Sequence, residues 1–458
     1  MTISRNQELY HRLRKEYPVF TFADFNLKAV GNELVIEFRF NIGGEIQFNP
    51  RTVIKTGTLV DELVSRVEAI RPLLESIAFR IGMIELISYW KASCSPVISV
   101  LPANLTLEEV KWWKKIYFQG LGEFFYLNSI AADRDNFVEI YSKGLKSHPA
   151  QSFAAENKFI VPVGGGKDSV VTLSLLREHG ETIMPMIMNP RGATIGTIRA
   201  TGLTMDQVLV IDRSIDPVLL ELNDKGFLNG HTPFSAMLAF YTLMCSALTG
   251  YRNIALSNES SANESTIPGT KINHQYSKSF EFEQDFRQYY EEYISSGFNY
   301  FSFLRPLSEL QIAGIFSALT QYHDVFRSCN AGSRTDSWCG KCPKCMFTHI
   351  MLSAFTGIEH ADRIIGKAML DDREMQEIFD ELAGYADIKP FECVGTTLEV
   401  KQALRMITDR HMGGHLPCLL GRFAEKSPGR ISPPDFMAIE EPNFVPADLI
   451  EYLKLRLK

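Results

Sequence analysis

Apolar and polar residues alternate between Leu34 and Phe48. Leu34, Ile36, Phe38, Phe40 and Ile42 share one parity, while Glu37, Arg39 and Asn41 take the other. A period of two predicts a strand with one buried face. Gly43-Gly44 predicts a turn into a second short strand carrying Ile46 and Phe48, hence a hairpin. The period then changes. Leu63, Val67, Ile70, Leu74, Ile77, Ile81 and Ile84 recur three or four positions apart, which builds one apolar stripe on a helix. Pro72 falls inside that stripe and predicts a kink. Trp112, Trp113, Tyr117, Phe118, Phe124, Phe125 and Tyr126 surround Lys114 and Lys115. Aromatics beside lysines can stack bases, but burial against a neighbouring domain is the commoner use of such rings. Residues 1–150 therefore read as a separate N-terminal α+β domain.

From 151 to 360 the rhythm differs. Phe159–Val163, Ile183–Met188, Val208–Ile211 and Asn253–Leu256 are short apolar runs with helical stretches between them. Strand runs separated by helices predict an α/β fold: a doubly wound, mostly parallel sheet covered on both faces. Residues 361–458 read as a helical C-terminal region. It contains a Pro/Gly/Ser-rich loop at 427–434 and a basic amphipathic end, Ile450–Lys458.

Composition narrows the function classes. The 458 residues are 45% hydrophobic and 22% charged, as in ordinary globular chains. Net charge is −7, which gives no general attraction for phosphate backbones or anionic lipid. No nucleic-acid or membrane partner is therefore expected. The start of the chain lacks an apolar h-region. The uncharged run from Thr232 to Tyr251 is long enough to span a membrane, but its hydroxyls and early proline read better as a fully buried core helix. Four of the eight cysteines cluster between 329 and 345, and Cys94, Cys245, Cys393 and Cys418 are scattered. That distribution predicts a metal site in a reducing, cytoplasmic setting.

The sharpest motif follows the run Phe159–Val163. Gly164-Gly165-Gly166-Lys167-Asp168-Ser169 leads into Val170, Val171, Leu173, Leu175 and Leu176. Glycines let the backbone turn sharply and present N–H groups to an anion, and the helix that follows adds its positive end. Lys167 can supply a point charge and Ser169 a hydroxyl. Asp168 is an odd neighbour for phosphate unless it holds Mg²⁺ or orients the loop. The loop does not fit a Walker A motif, which needs glycine at Val161 and Ser/Thr at Asp168. Nor does it fit a dinucleotide fingerprint: Ser169 replaces a third small residue, and Asn189-Pro190 stands where an acid would end the second strand. An ordinary glycine turn is the plainer alternative.

The string resembles the PP-loop of the adenine nucleotide α-hydrolase superfamily, Ser-Gly-Gly-x-Asp-Ser, departing only by Gly164 for serine. The resemblance implies a PP-loop ATP pyrophosphatase fold. It implies that Gly164, Gly165, Gly166, Lys167, Asp168 and Ser169 bind ATP with Mg²⁺. ATP would be cleaved between the α and β phosphates, with the AMP part passed to a substrate oxygen and charge on the leaving diphosphate stabilised by the loop.

The cysteine cluster is Cys329, Cys339, Cys342 and Cys345, the last three inside Cys339-Gly-Lys-Cys342-Pro-Lys-Cys345. Two-residue gaps aim neighbouring thiolates at one ion, and four thiolates satisfy a closed tetrahedral Zn²⁺ site. An iron–sulfur cluster also uses such runs, and uncoordinated thiols are the remaining reading. The cluster resembles the zinc site of the PP-loop enzyme that makes the 7-cyano-7-deazaguanine base.

Three stretches are expected at strand carboxyl ends, where open α/β sheets bind ligands. They are Asn189-Pro-Arg191-Gly192, Asn229-Gly-His231-Thr-Pro233 and Ser257–Glu264. Arg191 and His231 are candidates there, although each could equally be a satisfied loop residue. The acidic stretch Glu281–Glu292 reads as a solvated helix face.

Several stretches together resemble the UDP-N-acetylmuramoyl-L-alanyl-L-glutamate epimerase (MurL) family over nearly the whole chain. They are Phe79–Lys91, Trp112–Phe118, Glu123–Asn128, the Gly164 loop, Asn229–Ser235 and Lys389–Gly395. The resemblance implies a bacterial, ATP- and Mg²⁺-dependent inversion of the terminal L-Glu of that UDP-linked muramoyl dipeptide to D-Glu. AMP and diphosphate would be released, in the service of peptidoglycan synthesis, cell shape and division. Inversion needs groups on both faces of the α-carbon. Cys94, His231, Lys91 and Glu85 are candidates, and the sequence selects none of them. The alternative is a nucleobase- or tRNA-modifying PP-loop ATP pyrophosphatase.

Overall fold

The structure is a computed structural model that describes residues 5–60, 62–263, 276–390, 392–411 and 415–458. Glu264 and Phe391, which belong to stretches singled out above, lie outside the described residues. The alternating segment forms β2 (Glu33–Ile42), and Leu34, Ile36, Phe38, Phe40 and Ile42 are each 1% exposed or less. β2 pairs antiparallel with β1 (Val19–Val30), β3 (Ile46–Phe48) and β4 (Arg51–Lys55). Beyond β1, the strands β5 (Val97–Val100) and β6 (Glu139–Ser142) add in parallel.

The second half supplies β7 (Glu156–Pro162), β8 (Ile183–Met188), β9 (Leu209–Arg213), β10 (Tyr251–Leu256) and β11 (Asn299–Ser302). These five pair in parallel in the order β11-β10-β7-β8-β9. β9 then pairs antiparallel with β4, Ile54 opposite Ile211, so the strands on either side of residue 150 belong to one sheet. The protein is thus mixed α/β with a mostly parallel sheet.

The apolar stripe at 63–84 forms two helices, Leu63–Ala69 and Arg71–Trp90. Pro72 does not kink a continuous helix. It sits in the first turn of the second one, where a missing N–H costs nothing. That second helix is buried nearly all round, and it encloses Arg80, 2% exposed. Arg80 donates to Glu109 Oε1 at 2.9 Å, to the Tyr289 hydroxyl at 3.1 Å and to Ser76 Oγ at 2.8 Å. Trp113 Nε1 also donates to the Tyr289 hydroxyl at 3.1 Å; Trp113, Tyr117, Phe124 and Phe125 are buried, while Tyr126 is exposed. The uncharged run becomes the buried helix Phe234–Thr249, and no described helix is long and apolar enough to cross a membrane. The acidic stretch is not merely a solvated face. Glu283 on helix Phe280–Tyr293 is 1% exposed and accepts from the Ser302 N–H at 2.9 Å.

Arg80→Leu should cost about 3–5 kcal/mol in denaturant unfolding, because it leaves the buried Glu109 carboxylate without its cation. Equal stability of the two proteins would show that the pair contributes nothing.

Candidate functional site

β7 is the first strand of the parallel block. The chain leaves it for β8 and β9 on one side and returns to β10 on the other. The strand order therefore reverses at β7, and ligands in open α/β sheets bind outside the carboxyl ends at such a point. Gly164-Gly165-Gly166 follow β7 after the single residue Val163, and the helix Lys167–His179 begins there. Gly165 has φ +81, and a Cβ on it would lie 2.9 Å from the backbone of Ala193 and Thr194. Only glycine fits that position. Gly164 is different: a Cβ there would meet nothing within 4 Å. The serine of the PP-loop pattern has room in this chain.

A cavity of about 510 Å³ opens over the turn. Gly164, Gly166, Asp168 and Ser169 line it from the loop, Asn189 and Arg191 from the end of β8, and Ser257, Asn258 and Lys278 from beyond β10. Ser257 Oγ is buried with no hydrogen-bond partner among the described residues. Ser169 Oγ turns back to donate to the Gly166 carbonyl at 3.0 Å.

Lys167 is not among the described residues that line the cavity. Its side chain is 5% exposed and its ammonium is bound by Asp168 Oδ1 and Glu309 Oε2. Burial alone would lower its pKa, but the two carboxylates outweigh that and raise it, so the ammonium stays charged. Glu309 is buried too, at 2% exposure, and burial pushes its carboxyl up against the pull of Lys167. Asp168 is a third exposed and lies on the cavity wall, the right place for a carboxylate that shares Mg²⁺ with phosphates.

Arg305, 1% exposed, fixes the far wall. It donates to the Glu259 carbonyl at 2.8 Å, to the Lys278 carbonyl and to Glu283 Oε2 at 3.2 Å. Lys278 in turn donates to Cys393 Sγ at 3.2 Å.

The cysteine cluster stands beside the cavity. All four sulfurs lie within 4.8 Å of one another. Cys329–Cys342, Cys339–Cys345 and Cys342–Cys345 are 3.8, 3.7 and 3.5 Å apart. Zn–S bonds of ~2.3 Å in a tetrahedron put sulfurs ~3.8 Å apart. The four thiolates therefore fit one tetrahedral ion such as zinc. Gly340, at φ +62, makes the tight turn between two of them. Cys329 and Lys344 also line the cavity, and the Arg327 N–H donates to the Gly165 carbonyl at 2.8 Å.

The other acid/base candidates lie elsewhere. Glu85 accepts from Arg213 through both oxygens, at 2.6 and 2.9 Å. Cys94 is fully buried, and burial pushes its thiol up. Lys91 donates to Thr232 Oγ1 at 2.7 Å, and burial, helped by Arg213, lowers its pKa to about 8. His231 Nδ1 lies 3.2 Å from Glu123 Oε2. None of these four is among the described residues lining the cavity. Glu309 and Lys278 escaped the reading of the sequence. Each is a lone charged residue far along the chain from the loop, with no local pattern to mark it.

Fold and site together define a mixed α/β protein with a glycine turn at the sheet's switch point and a four-cysteine cluster beside it. The chain belongs to the MurL family: the MurL N-terminal domain matches residues 11–303 and the MurL C-terminal domain residues 325–429. Three curated relatives each bear the name UDP-N-acetyl-alpha-D-muramoyl-L-alanyl-L-glutamate epimerase. The protein of Xanthomonas oryzae pv. oryzae is 33% identical over 80% of this chain and 83% of its own length. That of Salinispora tropica is 36% identical over 76% and 75%, and that of a Micromonospora species 33% over 85% and 87%.

Gly165→Ala should lower the melting temperature by several degrees in a thermal scan, since the strained φ and the close backbone both oppose a methyl group. Gly164→Ser should melt with the parent protein, and a large loss there would contradict the open space at that position. The protein as purified should carry about one zinc per chain by elemental analysis, and Cys342→Ser should lose both metal and thermal stability. A preparation with neither zinc nor iron, and no change in Cys342→Ser, would remove the metal reading.

Proposed function

We propose that this chain is an isomerase that inverts the terminal L-Glu of UDP-N-acetylmuramoyl-L-alanyl-L-glutamate to D-Glu in the cytoplasm, at the cost of ATP, for peptidoglycan synthesis. The relatives' shared name supports the reaction and speaks for it over nucleobase or tRNA modification. The single structural observation that carries the nucleotide chemistry is the glycine turn at the switch point, opening into a cavity with Asp168 on its wall. On this reading the domain is of the PP-loop type, and residues 151–360 hold the nucleotide between an N-terminal α+β part and a helical C-terminal part.

The chemistry runs in three steps. An α-carboxylate oxygen of the glutamate attacks the α-phosphorus of ATP, and the bond to the β-phosphate oxygen breaks, so diphosphate leaves. The backbone N–H groups of Gly164–Gly166 and the start of the following helix stabilise the charge that gathers on diphosphate. Lys167 holds Asp168 in place, and Asp168 would hold Mg²⁺, which supplies further charge neutralisation when bound. The second step is loss of the α-hydrogen. A free carboxylate resists it, because the product would carry two negative charges on one small group. The acyl-adenylate removes one of those charges and spreads the other onto its carbonyl oxygen. After a proton returns to the opposite face, water cleaves the acyl–phosphate bond and AMP departs. The four-cysteine site would hold its metal as a structural knot, not as a reactant.

The test is incubation with ATP, Mg²⁺ and the UDP-linked dipeptide in deuterated water. AMP and diphosphate should appear with D-Glu that carries deuterium at its α-carbon. AMP without deuterium would sink the epimerase reading, and inversion with ATP intact would sink adenylation. Asp168→Ala should keep the fold and reduce AMP formation by roughly 100-fold or more; near-normal turnover would refute the loop's role.

A further inference from the structure

The terminal glutamate of the dipeptide carries two carboxylates. On the adenylation reading above, the α-carboxylate gives up its charge to the nucleotide, while the side-chain carboxylate enters the site as an anion. The cavity wall beyond β10 offers that anion a place. Ser257 and Asn258 follow directly on β10, and both line the cavity together with Lys278. Asn258 Nδ2 donates to Ser302 Oγ on β11 at 3.0 Å, and Arg305 donates to the carbonyls of Glu259 and Lys278, so the two short segments are tied to each other from behind. Ser257 Oγ is buried with no hydrogen-bond partner among the described residues.

Lys278 differs from the other cations of the interior. Arg80, Lys167, Arg213 and Arg305 are each closed by a carboxylate. Lys278 is half-buried, and among the described residues its ammonium forms no ion pair and donates only to Cys393 Sγ, at 3.2 Å. That contact uses one of the donors an ammonium carries and leaves the others open. Burial alone would lower its pKa; Cys393, Glu259 and Asp168 outweigh burial and raise it, so the group stays charged, and Asp168 on the loop is close enough to act on it. The other cations on the wall are placed differently. Arg327 spends its guanidinium on the carbonyls of Asp324, Phe326 and Asp336. Lys344 stands between two of the clustered cysteines, and Arg191 is exposed at the head of helix Gly192–Ala200.

We propose that Lys278, with Ser257, binds the side-chain carboxylate of the substrate's terminal glutamate and so selects glutamate over glutamine. The inference deepens the reading above and rests on it. The ammonium donates to one carboxylate oxygen and the Ser257 hydroxyl to the other. A charge-assisted contact of this kind anchors the residue whose α-carboxylate must reach the nucleotide. A glutamine side chain has no charge to offer, and its amide group carries donors that an ammonium cannot accept, so the wall rejects it.

The test compares two UDP-linked muramoyl dipeptides, one ending in L-Glu and one in L-Gln, by kcat/KM for AMP release with deuterium uptake at the α-carbon. The parent protein should prefer the glutamate substrate by roughly 10–100-fold. Lys278→Gln and Lys278→Met should bring the two substrates to within about threefold of each other, through loss on the glutamate substrate. Lys278→Arg should keep most of the preference, and Ser257→Ala should shrink it part of the way. The ratio is the readout because a merely structural lysine would lower both substrates together. Equal use of the two substrates by the parent would overturn the proposal and leave the epimerase reading standing. So would a preserved ratio, or a joint loss of both substrates, in both neutral Lys278 variants. A ratio that collapses in Arg191→Gln or Lys344→Gln and survives in Lys278→Gln would also overturn it. A parent protein that releases no AMP with either dipeptide would overturn the reading beneath as well.

Discussion

The buried ammonium of Lys167 ties two distant stretches of the chain into one site. It sits at the start of the helix after the glycine turn, and its two partners are Asp168 beside it and Glu309 more than a hundred residues later. An unpaired charge at this depth would be prohibitive, whereas a cation between two carboxylates is tolerated. Glu309 in turn offers its backbone N–H to Glu399 Oε1 at 2.7 Å, and Glu399 closes the capping box of helix Thr397–Arg410. The glycine turn, the helix Glu309–Ala318 and the C-terminal region are therefore held in register by one polar chain. Lys167 spends its charge on that frame. The loop's own means of meeting an anion are then its backbone N–H groups and the helix end, beside the cations Arg191, Lys278 and Lys344 on the cavity wall, where Asp168 is the loop's carboxylate.

The sheet explains why the site sits where it does. The reversal of strand order at β7 opens a crevice, and the long antiparallel extension through β4, β2 and β1 lies on the far side of β9. The helix Phe234–Thr249, whose first residues line the cavity, packs against Arg71–Trp90 from the first part of the chain. The Arg80–Glu109–Tyr289 network spans the same region. The amino-terminal strands and helices thus support the cavity wall through a shared core, and among the described residues none of their charged groups lines it.

How much of this the sequence disclosed follows from the range of the interactions. The hairpin at β2 and β3, the glycine turn and the four cysteines are each written within a short stretch, and period, glycine spacing or Cys-x-x-Cys spacing marks them. β1 shows no clean alternation although Phe20, Phe22 and Leu27 are buried, because Ala23 and Asp24 sit at a register shift that breaks the period. A stripe of apolar residues does not show where one helix ends and the next begins, so the pattern alone puts Pro72 inside a helix rather than at the start of Arg71–Trp90. Glu283 looked solvated because its sequence neighbours are acidic, and only the fold reveals Arg305 and the Ser302 N–H waiting for it. Glu309 and Lys278 carry no local signature at all. Their meaning is a distance to another part of the chain, and a single sequence does not contain distances.

The position of the cysteine cluster turns a structural feature into a functional constraint. Arg327 and Ser328 lie immediately before the first thiol; the Arg327 N–H holds the Gly165 carbonyl, and Ser328 Oγ stands 3.1 Å from where a Gly166 Cβ would be. The glycine turn is thus braced from outside by a segment whose next residue, Cys329, is tied to a four-sulfur knot. Cys345 closes that knot from the helix Pro343–Thr356, which packs on helix Thr397–Arg410, the helix capped through Glu399. The turn is consequently held from two directions, by the Lys167 ion pairs on one side and by the segment that leads into the four-cysteine cluster on the other. A glycine-rich backbone left to itself would sample many conformations. Pre-setting its N–H groups toward one point requires that the freedom be removed by neighbours, and here a charge pair and a set of cysteines remove it together.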